Sequence, residues 1–140
     1  MNYLDTSVLM SFYHPDAHSA RATSFIRQHA GQLYLSDWAK VEMTSALGIQ
    51  VRRGAISEAL AQQILKTFKA HCASGFYMQL SLNQTHFFEA ERCLQALKRK
   101  LRSADALHLA VAKLAKLQMV TLDKDLAAAA QDEGLGLGQL

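Results

Sequence analysis

Asn2-Tyr3-Leu4-Asp5-Thr6-Ser7 opens the chain as a short apolar run that stops at an acid, followed at once by residues suited to begin a helix. Val120-Thr121-Leu122-Asp123 repeats that pattern near the other end. Short runs of this kind at 2–4, 33–35, 76–80 and 119–122 read as strands. Helical patterns lie between them, at 18–29, 37–53, 57–72, 84–99, 104–117 and 123–133. The third of these places Leu60, Ile64 and Phe68 at four-residue spacing, with Ser57 as N-cap. Residues 135–140 offer a final edge strand, and Gly134 is suited to end the helix before it. Strands alternating with helices predict an α/β fold with a mostly parallel sheet, because parallel strands need crossovers and the helices supply them. Ligand sites of such sheets lie outside the carboxyl ends of the strands.

The composition agrees with one folded unit over residues 1–140. Half of the 140 residues are hydrophobic and 19% are charged, which excludes wholesale disorder. The length permits a buried core without disulfides or a structural metal. Cys72 and Cys93 form no metal-binding or disulfide spacing and read as free thiols in a reducing compartment. The N-terminus lacks a basic segment ahead of an apolar one, and Asp105, Lys113 and Lys116 interrupt the apolar stretch 104–122. A secreted or membrane-spanning protein is therefore not expected, and a cytoplasmic one is.

Four acids fall near the strand-end side. Asp5 and Asp123 directly follow strands, Glu42 lies early in a helix, and Asp105 sits in the first turn after Ser103, read as its N-cap. Each has an ordinary explanation as a cap, a first-turn acid or a solvated residue. Their apolar neighbours, such as Val41 and Met43 around Glu42, favour a shared partner instead. Clustered carboxylates repel, and a hard divalent cation resolves that; oxygen ligands select Mg²⁺ or Mn²⁺ over zinc. A cation so held suits hydrolysis of a phosphodiester. His14 and His18 are separated by Pro15 and do not make a zinc pair. His108 shares a helix face with Asp105, where it either packs or supports the acids.

The residues around these acids resemble the PIN domain, and most closely the VapC-type toxins of toxin–antitoxin pairs. Tyr3-Leu4-Asp5-Thr6-Ser7-Val8-Leu9 looks like the first motif of that family, and Ser36 through Glu42 like the second. Arg102-Ser103-Ala104-Asp105-Ala106-Leu107-His108-Leu109-Ala110 looks like the third, and Val120 through Leu126 like the fourth. The acids are spaced by 37, 63 and 18 residues, so the likeness runs along nearly the whole chain. It implies a three-layer sandwich with a mostly parallel central sheet flanked by helices. It further implies a Mg²⁺-dependent endoribonuclease (Mn²⁺ being an alternative) in which Asp5, Glu42, Asp105 and Asp123 are catalytic. Asp5 and Asp105 would hold the metal. Thr6 or Ser7 would orient a carboxylate or water, and Thr121 would brace the site from behind. The implied partners are an RNA such as a tRNA or ribosomal RNA loop, a cognate antitoxin and a second copy of the chain. Asp123 is preferred to Asp125 at the fourth position, since residues two apart on a helix point in different directions.

The formal charge is +3, and committing four acids to a metal leaves 15 basic residues against 8 acids elsewhere. Lys98, Arg99, Lys100 and Arg102 cluster just ahead of Asp105 and are candidates for holding RNA phosphates, or else a solvated helix end. A phosphatase with an aspartyl nucleophile would want a second acid where Ser7 stands. A phosphoacceptor receiver would want an acid in 76–81, which has none. The alternative of another class is a PIN-like RNA-binding or scaffold protein without cleavage activity.

Overall fold

The computed structural model describes residues 1–140. Its elements are β1 (Asn2–Leu4), α1 (Thr6–Tyr13), α2 (Ser19–Gln28), β2 (Leu33–Ser36), α3 (Asp37–Arg52) and α4 (Glu58–Ala73). There follow β3 (Met78–Leu80), α5 (Gln84–Leu94), α6 (Ser103–Leu114), β4 (Gln118–Val120) and α7 (Lys124–Asp132). The strands form one sheet in the order β3-β2-β1-β4, and every pairing is parallel. The register sets Tyr3 beside Tyr34 and Met119, and Leu4 beside Val120.

Strand alternation sorts the side chains into two layers. Leu4, Leu33, Leu35 and Val120 pack with Val8, Phe25, Ile26, Met43, Ile64 and Phe68 of α1–α4 on one face. Tyr3 and Met119 pack with Cys93, Leu109, Val111, Leu126 and Ala129 of α5–α7 on the other. The expected three-layer α/β sandwich with helices on both faces is the observed one. Phe68, 1% exposed, meets the ring of Tyr13 edge-on at 5.5 Å between centroids, the preferred aromatic geometry.

The chain runs outward from β1 through β2 to β3, then returns to the other side of β1 as β4. The direction of travel reverses between β1 and β4, and it is at such a reversal that helices diverge and leave a crevice at the carboxyl ends. Asp5 leaves β1 there, and Thr121 through Asp123 leave β4 there.

The differences from the sequence reading lie at element ends. Periodicity does not delimit α1, yet Asp5 caps it by accepting from the Val8 N–H, and Val8 and Leu9 are buried. α5 stops at Leu94 rather than near residue 99. Leu97 is 91% exposed, so there is no apolar face beyond that point to hold a helix down. The strand expected at 119–122 is displaced to Gln118–Val120. The N-cap position of α6 belongs to Arg102, without a side-chain cap, and not to Ser103. The terminal edge strand is a single parallel bridge, Met119 to Leu137. Gly134 turns the chain out of α7 at φ +79°. Gly138 lies so close to β4 that a Cβ there would meet Val120 Cγ2 at 2.7 Å.

Candidate active site

Each acid is placed by a different element of the crevice. Asp5 is buried, 4% exposed, and its carboxylate is held from both sides. Ser7 Oγ donates to Oδ1 at 2.7 Å, the Val8 N–H also reaches Oδ1 at 3.2 Å, and Thr121 Oγ1 donates to Oδ2 at 2.7 Å. Ser7 Oγ also ties α1 to the turn after β4 by accepting the Leu122 N–H at 2.9 Å, and Thr121 Oγ1 accepts the Asp123 N–H within that turn at 2.9 Å. Thr6 turns the other way and donates to Glu42 Oε2 at 2.8 Å. Asp123 is exposed and caps α7, with Oδ1 accepting from the Asp125 and Leu126 N–H groups. The capping explanation and membership of the crevice thus hold together for Asp5 and for Asp123.

The electrostatics show an acid cluster with one basic neighbour. Burial pushes the Asp5 carboxyl above its ordinary value, and His108 and the bonds from Ser7, Thr121 and Val8 pull against it without cancelling it. Burial also raises Asp105; Asp123, Glu42 and Asp5 add to the rise, and only His108 opposes it. Glu42 is driven up by burial but ends below its ordinary value, because hydrogen bonds from His108 and Thr6 outweigh that cost. Asp105 therefore feels the other three acids, which come from distant parts of the sequence. No Lys or Arg nitrogen comes within 4.0 Å of the carboxylates of Asp5, Glu42, Asp105 or Asp123.

A cleft of about 310 Å³ opens beside Asp105 and Asp123, and Asp5 and Glu42 are not part of its lining. Asp105, Asp123 and Asp125 line it together with Arg99, Lys100 and Arg102. Asp125, to which the sequence prefers Asp123 at the fourth position, is exposed and also faces this cleft. Lys98 is not part of its lining. Arg99 is already engaged, 2.9 Å from Glu133 and 3.7 Å from Asp132. Lys100 and Arg102 have no carboxylate within 4.0 Å.

The donor set fits a hard divalent cation. It consists of carboxylates, with Asp5 raised by burial and Asp105 by burial and like-charge repulsion, and no resident Lys or Arg to balance them. Glu89, Cys93 and Glu133 bring three ligand atoms within 4.8 Å of one another, closer than the strand-end acids gather. That group is already neutralised: Lys113 lies 3.0 Å from Glu89 and 2.6 Å from Glu133, and Arg92 and Arg99 complete the set. It fastens α5, α6 and α7 together.

The sequence allows His108 either to pack or to support the acids. It is 1% exposed, its Nε2 meets Glu42 Oε2 in a short contact, and its Nδ1 lies 2.7 Å from Tyr3 Oη. The sequence does not mark Tyr3 and Ser36 as supporting residues. A tyrosine in a buried strand signals only core, and its hydroxyl needs a partner that the sequence does not reveal.

The sequence matches the PIN domain family over residues 3–132. Among solved structures, the chain is similar to PAE2754 of Pyrobaculum aerophilum, with 24% identity over 93% of this chain and 79% of that one, at a TM-score of 0.69. The sarcin–ricin-loop-cleaving toxin VapC20 of Mycobacterium tuberculosis is 18% identical over 100% of both chains, with a TM-score of 0.74. A toxin–antitoxin complex from Klebsiella pneumoniae is 18% identical over 91% of both, at 0.62. No curated protein matches the sequence.

Proposed function

The chain belongs to the PIN domain family, and on that premise we propose that it is a Mg²⁺-dependent endoribonuclease, the toxin of a type II toxin–antitoxin pair. One observation supports the reading: Asp105 feels the charges of Asp5, Glu42 and Asp123, and no Lys or Arg nitrogen lies within 4.0 Å of any of these four carboxylates. A protein that only bound RNA would have no use for such a cluster, because it repels phosphate. Similarity to a chain that cleaves the sarcin–ricin loop and to one from a toxin–antitoxin complex supports the same class.

Asp5 and Asp105 would hold the cation, with Asp123 completing the group through its uncapped Oδ2. When bound, Mg²⁺ or Mn²⁺ supplies charge neutralisation for a phosphodiester and acidifies water. Ser7 and Thr121 hold Asp5 in one rotamer by bonding both of its oxygens. Glu42 remains ionised at neutral pH and presents Oε1, which accepts no hydrogen bond within the protein. Lys100 and Arg102 are unpaired on the cleft and would grip flanking phosphates. Lys98 would add to that positive field from outside the cleft, and Arg99 would do so with its charge shared by Glu133. The cognate antitoxin would cover the cleft with a basic side chain, and the toxin would act in the cytoplasm as a homodimer.

The test is cleavage of total cellular RNA by the purified protein, with Mg²⁺ and with EDTA. Cleavage that requires Mg²⁺ and is lost in Asp5→Asn and Asp105→Asn is the expected result. RNA binding without cleavage under every metal condition would refute the nuclease and leave the scaffold alternative.

A further inference from the structure

We propose that Tyr3 is a positioning residue for Glu42, acting through His108. Its hydroxyl locks the imidazole in the Nε2–H tautomer, and that tautomer clasps Glu42 by Oε2 and leaves Oε1 free. The groups form one chain across the buried face of the sheet. The Ala39 N–H donates to Ser36 Oγ at 3.2 Å, and Ser36 Oγ lies 2.7 Å from Tyr3 Oη. Tyr3 Oη lies 2.7 Å from His108 Nδ1, and His108 Nε2 contacts Glu42 Oε2, which Thr6 also bonds at 2.8 Å. Tyr3 and Ser36 are fully buried and His108 is 1% exposed, so water cannot repair a missing bond.

Proton counting gives the chain a direction. With the proton on Nε2, that nitrogen donates to Glu42, Nδ1 accepts from the Tyr3 hydroxyl, and Tyr3 Oη accepts from the Ser36 hydroxyl. Every donor and every acceptor then has a partner. With the proton on Nδ1 alone, the bare Nε2 faces a carboxylate oxygen, two acceptors in contact. With protons on both nitrogens, Tyr3 must donate to Ser36, and the buried Ser36 hydroxyl hydrogen has no acceptor. Leaving such a buried group unsatisfied disfavours that arrangement. The phenol hydroxyl is therefore the part that selects the tautomer. The Tyr3 ring, 5.7 Å from that of His108, would pack equally well as phenylalanine.

The inference rests on the nuclease reading only in its kinetic arm. Long-range proton–nitrogen correlation spectra of the intact protein report which ring nitrogen carries the proton. The chain has six histidines, and His108 is assigned by its absence from His108→Gln. The expected result is a His108 whose proton sits on Nε2, facing Glu42, moving toward a tautomer mixture in Tyr3→Phe. On RNA with Mg²⁺, Tyr3→Phe should lower kcat by about 10- to 100-fold, the range expected when a group at the reacting centre is misplaced. KM should stay within about twofold, which general loosening of the fold would not produce. A wild-type His108 carrying a proton on Nδ1 overturns the proposal. So does a Tyr3→Phe variant in which tautomer and kcat do not change together. Should Tyr3→Phe fail to fold, the wild-type spectrum decides alone; should the wild type cleave no RNA, the nuclease reading falls and the spectra still decide this one.

Discussion

Replacing Asp5 with asparagine should raise the stability of the metal-free protein while abolishing its activity. The carboxylate is 4% exposed, has no Lys or Arg within 4.0 Å, and is pushed above its ordinary value by burial. A carboxyl raised on folding opposes the folded state at neutral pH, and its contribution worsens as pH rises past the unfolded value. Asparagine removes that charge and keeps an acceptor for the Val8 N–H and Ser7. Thr121 Oγ1 must change from donor to acceptor, at a cost of about 1 kcal/mol that offsets part of the gain. The net expectation is about 1 kcal/mol of added stability in EDTA. Unfolding entropy for 140 residues is about 0.3 kcal/mol/K, so Tm should rise by about 3 °C. Mg²⁺ reverses the order. At a tenfold excess over Kd, a cation that binds only the folded wild type adds about 1.4 kcal/mol, or about 5 °C. The variant, lacking that ligand, should stay flat. Thermal melts with EDTA and with Mg²⁺, beside RNA cleavage that falls about 10³-fold, make the assay. A variant that melts well below wild type in EDTA, or that gains from Mg²⁺ as much as wild type does, would refute the idea of an uncompensated acid awaiting a cation.

Other expectations follow from residues around the site. Glu133 is held down to about 2 from its ordinary 4.5 against burial, chiefly by Lys113, with Arg99 and Arg92 adding to it. A depressed acid stabilises above its unfolded value and loses that as pH falls toward its folded one. Wild type should thus lose about 2 kcal/mol between pH 5 and pH 2 that Glu133→Gln does not lose, as urea melts across that range would show. Lys100→Ala with Arg102→Ala should raise KM about tenfold at nearly constant kcat and flatten the salt dependence of RNA binding by about 1.4 in log–log slope; an unchanged slope would mean they touch no phosphate. Gly138→Ala should cost about 1–2 kcal/mol, because the added methyl meets Val120 and Phe25, and hydrogen exchange at the Gly138 amide should speed up as the tail lifts from β4.

Much of the molecule was legible in its sequence because the signals are local. A strand of three residues followed by an acid, then a helix, is written in consecutive positions, as at Tyr3-Leu4-Asp5-Thr6. The apolar spacing of Leu60, Ile64 and Phe68 states a helix outright, although only the latter two are buried. From these the parallel sheet and its carboxyl edge follow, and with them the neighbourhood of Asp5 and Asp123. Element ends were less legible, because a helix ends where its contacts end. The run after Leu94 is as helical in composition as the residues before it, but nothing covers Leu97.

What the sequence could not contain is which polar atom answers which. Ser7 bonds Asp5, while its neighbour Thr6 bonds Glu42; adjacent residues serve acids 37 positions apart because the first turn of α1 points them in different directions. Arg99 stands in a basic run yet spends its charge on Glu133, whereas Lys100 beside it is unpaired. Tyr3 and His108, 105 residues apart, meet only when β1 lies under α6. Hydrogen bonding is short-ranged and directional, so it is fixed by where the folded backbone sets each atom. Hydrophobic burial is neither, and a one-dimensional pattern is enough to announce it.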